Sequence, residues 1–172
     1  MRDPRKMMAS KKYVHAQDGD TRDYHPLAYA NYWKIAYNTV KKVKNQRKAE
    51  IFSIKFEDLV ADSEEQAEKL ARFLDTTRLP HVEVKTSKQN TSFAGKKRTE
   101  VTDTEVWICE KIAGEVMKEA GYDLKNPTPK LSDLADLLQT SIIFLNYRTQ
   151  QMLTDRSKFK TIMSYLKTTF SQ

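Results

Sequence analysis

Cysteine is almost absent from the 172 residues, because Cys109 is the only one. A single cysteine excludes an internal disulfide framework, and without a Cys/His cluster we expect no structural zinc site. The chain also lacks an uninterrupted apolar run of about 20 residues, the length that a membrane-spanning helix needs. We therefore expect no metal site, no membrane partner and a reducing, cytoplasmic location.

Positive charge is what the sequence has in excess. Thirty Lys and Arg residues against 23 Asp and Glu give a formal charge of +7. The apolar fraction of 39% and the charged fraction of 31% are typical of a globular domain with one core. The excess favours an anionic partner, which can be nucleic acid, a phosphorylated cofactor or an acidic surface.

Helical periodicity dominates the chain. Apolar residues recur at three- and four-residue spacing and predict helices over residues 4–15, 27–48, 62–74, 102–120, 131–153 and 158–170. Residues 50–57 alternate apolar and polar side chains instead, which predicts a strand. A lone strand needs a neighbour, so the pattern favours an α/β fold that is mostly helical with few strands.

Two prolines divide the C-terminal region from the rest. Pro127 and Pro129 fall in a polar stretch that predicts a linker over residues 125–130. We therefore predict an N-terminal part over residues 1–124 and a helical extension over residues 131–172.

The opening stretch MRDPRKMMAS predicts a helix start. Asp3 suits the N-cap and Pro4 the first helical position, where no amide is needed. Arg2 directly precedes this start, so an anion bound by its guanidinium can also accept hydrogen bonds from the first amides of the helix, and Ser10 adds a hydroxyl donor. Taken alone, such a turn is more often a surface ion-pair cluster.

Four motifs, in order, resemble those of sulfotransferases that use 3′-phosphoadenosine 5′-phosphosulfate (PAPS). Arg-Asp-Pro-Arg with Ser10 resembles the family's 3′-phosphate motif, and FEDL after the predicted strand resembles its Tyr-Glu-Asp-Leu. QNTSF resembles its adenine loop, and MKEAGY resembles the helix that ends its catalytic domain. The resemblance covers residues 2–124 and implies the C-terminal part of a P-loop NTPase-like, three-layer α/β/α fold with extra C-terminal helices.

The resemblance also implies how the chain binds the PAPS donor and its product, adenosine 3′,5′-bisphosphate (PAP). The implied cofactor-binding residues are Arg2, Ser10, Thr91, Phe93, Lys97 and Arg98. Arg2 and Ser10 would hold the 3′-phosphate, while Thr91 and Phe93 would border the adenine. On the residues alone, Phe93 can instead fill a core, and Lys97 and Arg98 can belong to a solvated basic loop.

The sequence departs from the family pattern in three respects. Phe56 stands where the family has tyrosine, so a hydroxyl is lost. The family's cytosolic members also have a later Arg-Lys-Gly phosphate clamp, whereas this chain has only the shorter GKKR. No segment resembles the family's loop for the 5′-phosphosulfate or supplies the residue that takes the proton from the acceptor. We therefore assign no catalytic residue and expect weak nucleotide binding with little or no sulfuryl transfer by this chain alone. The resemblance places its apolar faces against a missing N-terminal half; if the chain folds alone, the helices after Pro129 or a second copy would cover them.

Two other functions stay open. A non-enzymatic, basic helical protein that binds nucleic acid or another protein would also explain the charge of +7. Its basic residues are dispersed rather than concentrated on one helix, which disfavours nucleic acid. A P-loop nucleotide kinase is the other alternative, and preference for ATP over PAP would distinguish it. The acceptor, a hydroxyl or an amine, is not identified by the sequence.

Overall fold

The computed structural model describes residues 1–17, 20–46, 50–76, 101–154 and Ser164. These residues form six α-helices: α1 Pro4–Gln17, α2 Pro26–Asn45, α3 Phe56–Ala61, α4 Ser63–Phe73, α5 Asp103–Glu119 and α6 Leu131–Thr154. No described helix combines the length and apolar character needed to cross a membrane. The mostly helical prediction is confirmed for this part of the chain.

The predicted helix starts are confirmed where local chemistry favours them. Pro4 is the first residue of α1, as predicted, and a missing amide costs nothing there. α2 begins at Pro26, one residue before its predicted start. The Asp62 side chain caps α4, because it accepts a hydrogen bond from the Glu65 amide at 2.9 Å. These starts follow from sequence within one helical turn.

Both ends of α5 are also as predicted. Thr102 and Glu105 form a capping box, in which each side chain accepts a hydrogen bond from the other's backbone amide. The helix is closed by Gly121, whose φ of 74° is a left-handed conformation that glycine adopts at little cost. Both ends of this helix can therefore be predicted from the sequence alone.

The strand predicted over residues 50–57 is wrong for the described structure. Residues 50–55 form neither strand nor helix, and α3 begins at Phe56. The Met1 amino group donates to the Ile54 carbonyl, and the Phe56 amide donates to the Met1 carbonyl. This is the bonding of a parallel pair confined to one residue, which is too short to make a ladder.

The chain divides into two compact units, each described by itself. The first contains Met1–Asp3 and Val40–Arg98. Here α3 packs against α4, and the Phe52 and Phe73 rings stack with centroids 5.3 Å apart.

The second unit contains Pro4–Thr39 and Thr99–Gln172 and includes a core of buried side chains. Its buried members are Met8, Ala30, Trp33, Cys109, Ala113, Met117, Ala120 and Tyr122. Cys109 is a fully buried thiol, as the apolar face of its helix predicts. The core therefore joins residues of α1, α2 and α5 with the segment after α5.

The C-terminal region agrees with prediction as far as it is described. α6 ends one residue beyond the predicted helix, and residues 122–130 before it are irregular. The helix predicted over residues 158–170 lies outside the described residues, apart from Ser164. The division into residues 1–124, 125–130 and 131–172 stays a prediction.

Candidate nucleotide-binding site

The backbone on both sides of Arg2 is held in place within the first unit. Met1 makes its two backbone bonds to residues 54 and 56, and the Asp3 amide donates to the Glu57 carboxylate at 3.2 Å. Arg2 lies between these two anchored residues. The turn that leads into α1 is thus fixed against the segment that leads into α3.

The Arg2 side chain lies over an aromatic ring. Its guanidinium carbon is 5.1 Å from the centroid of Phe56, which is within the range of a cation–π contact. Phe56 retains 43% of its surface exposure, so the cation lies on a partly solvated ring. From the sequence, the only apparent consequence of Phe56 was the lost hydroxyl, whereas in the structure its ring also orients Arg2.

Ser10 belongs to the second unit, half-buried on α1. Two ion pairs join α1 to α5 on either side of it: Arg5 to Glu110 and Lys12 to Glu105, each at 2.7 Å. Because both pairs are largely shielded from solvent, they hold the helix more firmly than surface pairs would. Ser10 is therefore carried by a well-fixed helix.

Glu110 is a buried carboxylate that the sequence did not single out. It accepts hydrogen bonds from Arg5 and from the backbone amides of Lys125 and Asn126, the last two at 2.8 Å. Asn126 has a φ of 49°, a left-handed conformation that asparagine tolerates better than most residues. The carboxylate thus ties the segment after α5 to α1.

The remaining predicted binding residues, Thr91, Phe93, Lys97 and Arg98, lie outside the described residues. Their assignment to the adenine and the phosphate stays a prediction, as does that of Arg2 and Ser10.

A cavity of about 300 Å³ opens in the second unit. It is lined by residues that include Lys12, Tyr24, Glu105, Asp133 and Leu137. The Glu105 carboxylate accepts hydrogen bonds from Lys12 Nζ and from the Tyr24 hydroxyl at 3.1 Å. Burial, with Glu105 beside it, raises the pKa of Tyr24, so its hydroxyl acts as a donor and keeps its proton. In the sequence, the only signal at this site was the Thr102–Glu105 capping-box pattern, which indicates a helix start and not a cavity.

The histidines supply no catalytic centre in the described structure. His25 Nε2 is 2.9 Å from Ser141 Oγ, and burial lowers the pKa of its ring below the ordinary value. His25 is therefore neutral near pH 7. The side chain of His15 and all of His81 lie outside the described residues, and within those residues no group of His, Cys, Asp or Glu is arranged to hold a metal ion.

Comparison with known proteins links the first part of the chain to a family. Searches among curated proteins and among solved structures gave no match. A family model with the description "Sulfotransferase family" matches residues 1–80. The matched segment contains Arg2, Ser10, the FEDL motif and both anchors of the Arg2 turn. The resemblance deduced from the motifs is confirmed over this range, where residues 1–80 match the family model.

Proposed function

We propose that this chain binds the nucleotide of a PAPS-dependent sulfotransferase, with Arg2 and Ser10 holding the 3′-phosphate. The observation that carries the proposal is the family match over residues 1–80, which includes both residues. The anchored turn and the Phe56 ring support it, because a guanidinium already oriented loses less conformational freedom when it binds an anion.

Sulfuryl transfer is an in-line attack of an acceptor oxygen or nitrogen on sulfur. Cations and amides stabilise the charge on the transferred group and on the bridging oxygen, as in phosphoryl transfer. In our proposal this chain supplies the 3′-phosphate end of the donor site. The 172 residues contain nothing that resembles the family's 5′-phosphosulfate loop, so we propose that the chain alone transfers little or no sulfuryl group.

The rest of the proposed donor site comes from the loop after α4. Thr91 and Phe93 border the adenine, and Lys97 and Arg98 neutralise phosphate charge. The net charge of +7 supports an anionic ligand, since it raises the encounter rate with PAPS or PAP. We propose a cytoplasmic location and the C-terminal part of a three-layer α/β/α fold, in keeping with the family.

The test is calorimetric titration of the full chain with PAP. Arg2→Ala should weaken binding by about tenfold or more, because hydrogen bonds to charged groups are worth about 1.5–3 kcal/mol. Arg72→Ala is the matched control, since it removes an equal charge from an exposed position on α4. AMP, which lacks the 3′-phosphate, should bind the native chain weakly and be insensitive to Arg2→Ala.

Three results would contradict the proposal. The first is equal weakening of PAP binding by Arg2→Ala and Arg72→Ala, which would indicate a general charge effect. Tighter binding of ATP than of PAP would favour a nucleotide kinase. A salt-dependent affinity for RNA or DNA that survives Arg2→Ala would favour a basic binding protein.

A further inference from the structure

An apolar stripe runs along the exposed side of α6. Leu131, Leu138, Leu145 and Met152 recur every seven residues, and Leu134 and Ile142 lie on the same side of the helix. We call these six residues the α6 stripe. Leu131 is 84% exposed, Leu138 65%, Ile142 68% and Leu145 62%. Such exposure is unusual for residues that repeat so regularly along a helix of 24 residues.

The stripe carries no charge. α6 contains three charged residues, Asp133, Asp136 and Arg148, and none belongs to the stripe. Asp133 accepts a hydrogen bond from Thr104, and Arg148 pairs with Asp23 at 2.7 Å. Asp136 lies on the opposite side of the helix, about 160° around the axis from Leu138. A strongly charged partner would find no counterion on this surface.

An uncharged stripe is complementary to itself. In a two-fold symmetric dimer the same surface meets its own copy, so a stripe with charge of one sign would repel the second chain. A seven-residue repeat is also the spacing with which two helices keep one seam in contact over several turns. We propose that the α6 stripe pairs with the α6 stripe of a second copy of this chain. This proposal is independent of nucleotide binding.

The size of the stripe indicates a small interface. Its exposed side chains offer about 330 Å² of apolar surface per chain, taking about 100 Å² for a whole leucine side chain. Two chains and their polar flanks would bury about 1,000 Å², the lower end for a specific interface. The structure therefore points to a weak dimer, with a dissociation constant of about 1–100 µM.

Sedimentation velocity of the full chain from about 1 to 300 µM tests this proposal. The native chain should move from monomer to dimer as its concentration rises. Leu138→Lys should weaken the dimer by about tenfold or more, because each dimer loses two buried leucines and gains two charges in the seam. Gln139→Lys is the matched control: it adds the same charge at an exposed neighbour outside the stripe and should leave the dissociation constant within about threefold.

Two outcomes would overturn the proposal. A native chain that stays monomeric up to about 300 µM has no such interface, and the stripe would then serve another occupant. Equal weakening by Leu138→Lys and Gln139→Lys, or no weakening by either, would place the dimer contact elsewhere. Circular dichroism should give the same helix content for all three proteins, since both altered residues are exposed.

Discussion

The buried ion pair between Arg5 and Glu110 is the contact whose loss should cost most. Their side chains are 10% and 6% exposed, and Glu110 also accepts two backbone hydrogen bonds, from Lys125 and Asn126. Glu110→Gln keeps the shape of the side chain but removes its charge. The side-chain NH₂ group of the glutamine is also a donor, so it would face another donor, because all the partners of Glu110 are donors.

Glu110→Gln should therefore lower the free energy of unfolding by about 3–5 kcal/mol, the usual cost of removing one partner of a buried ion pair. That loss is large beside a total of about 5–15 kcal/mol for a typical protein. Urea unfolding, followed by far-UV circular dichroism and by tryptophan fluorescence, measures it. Trp33 reports on the second unit, because it lies in that unit's core.

The matched control is Glu115→Gln, an exposed glutamate on the same helix that should cost less than about 0.5 kcal/mol. A double-mutant cycle with Arg5→Met should give a coupling energy of about 0.5–3 kcal/mol between Arg5 and Glu110. A Glu110→Gln protein as stable as Glu115→Gln would refute the reasoning, since it would mean that neither the charge nor its three hydrogen bonds stabilise the fold.

Three other predictions concern affinity, helix capping and pH. Phe56→Ala should weaken PAP binding by about two- to fivefold in calorimetry, because Arg2 loses a cation–π contact, and Phe56→Leu should not restore it. Thr102→Ala should lower the free energy of unfolding by about 0.5–2 kcal/mol in urea titration, whereas Thr102→Ser should cost much less. Burial depresses the pKa of the His25 ring below its unfolded value of 6.5, so its contribution to stability is complete above that pH and is lost as the pH falls from there through the folded pKa. The free energy of unfolding of His25→Gln should therefore fall less than that of the native chain between about pH 7.5 and about pH 5.5, and identical pH profiles would contradict this.

The sequence predicted best the features whose causes lie within one helical turn. The Thr102–Glu105 capping box and the stop at Gly121 each depend on residues that are neighbours along the chain. The same holds for Pro4, which begins α1. Such signals need no knowledge of the rest of the fold, so composition and spacing are sufficient.

Long-range contacts account for what the sequence did not predict. Arg5 and Glu110 are separated by 105 positions, and no local pattern relates them. Residues 50–55 have the alternation of a strand, but alternation states only which side chains could share a face. Whether a strand forms depends on a neighbouring backbone, and the described structure offers this segment one paired residue at Met1.

Glu105 has a consequence for how the second unit opens. Helix ends usually fray independently, because their last hydrogen bonds break at little cost to the rest of the protein. The carboxylate that completes the first turn of α5 also binds Lys12 and Tyr24, which belong to α1 and to the segment before α2. The first turn of α5 can therefore unwind only by giving up those two contacts. The capped amides of Thr102 and Glu105 should therefore exchange with solvent more slowly than those of a frayed helix end, so local opening and loss of tertiary structure become one cooperative event.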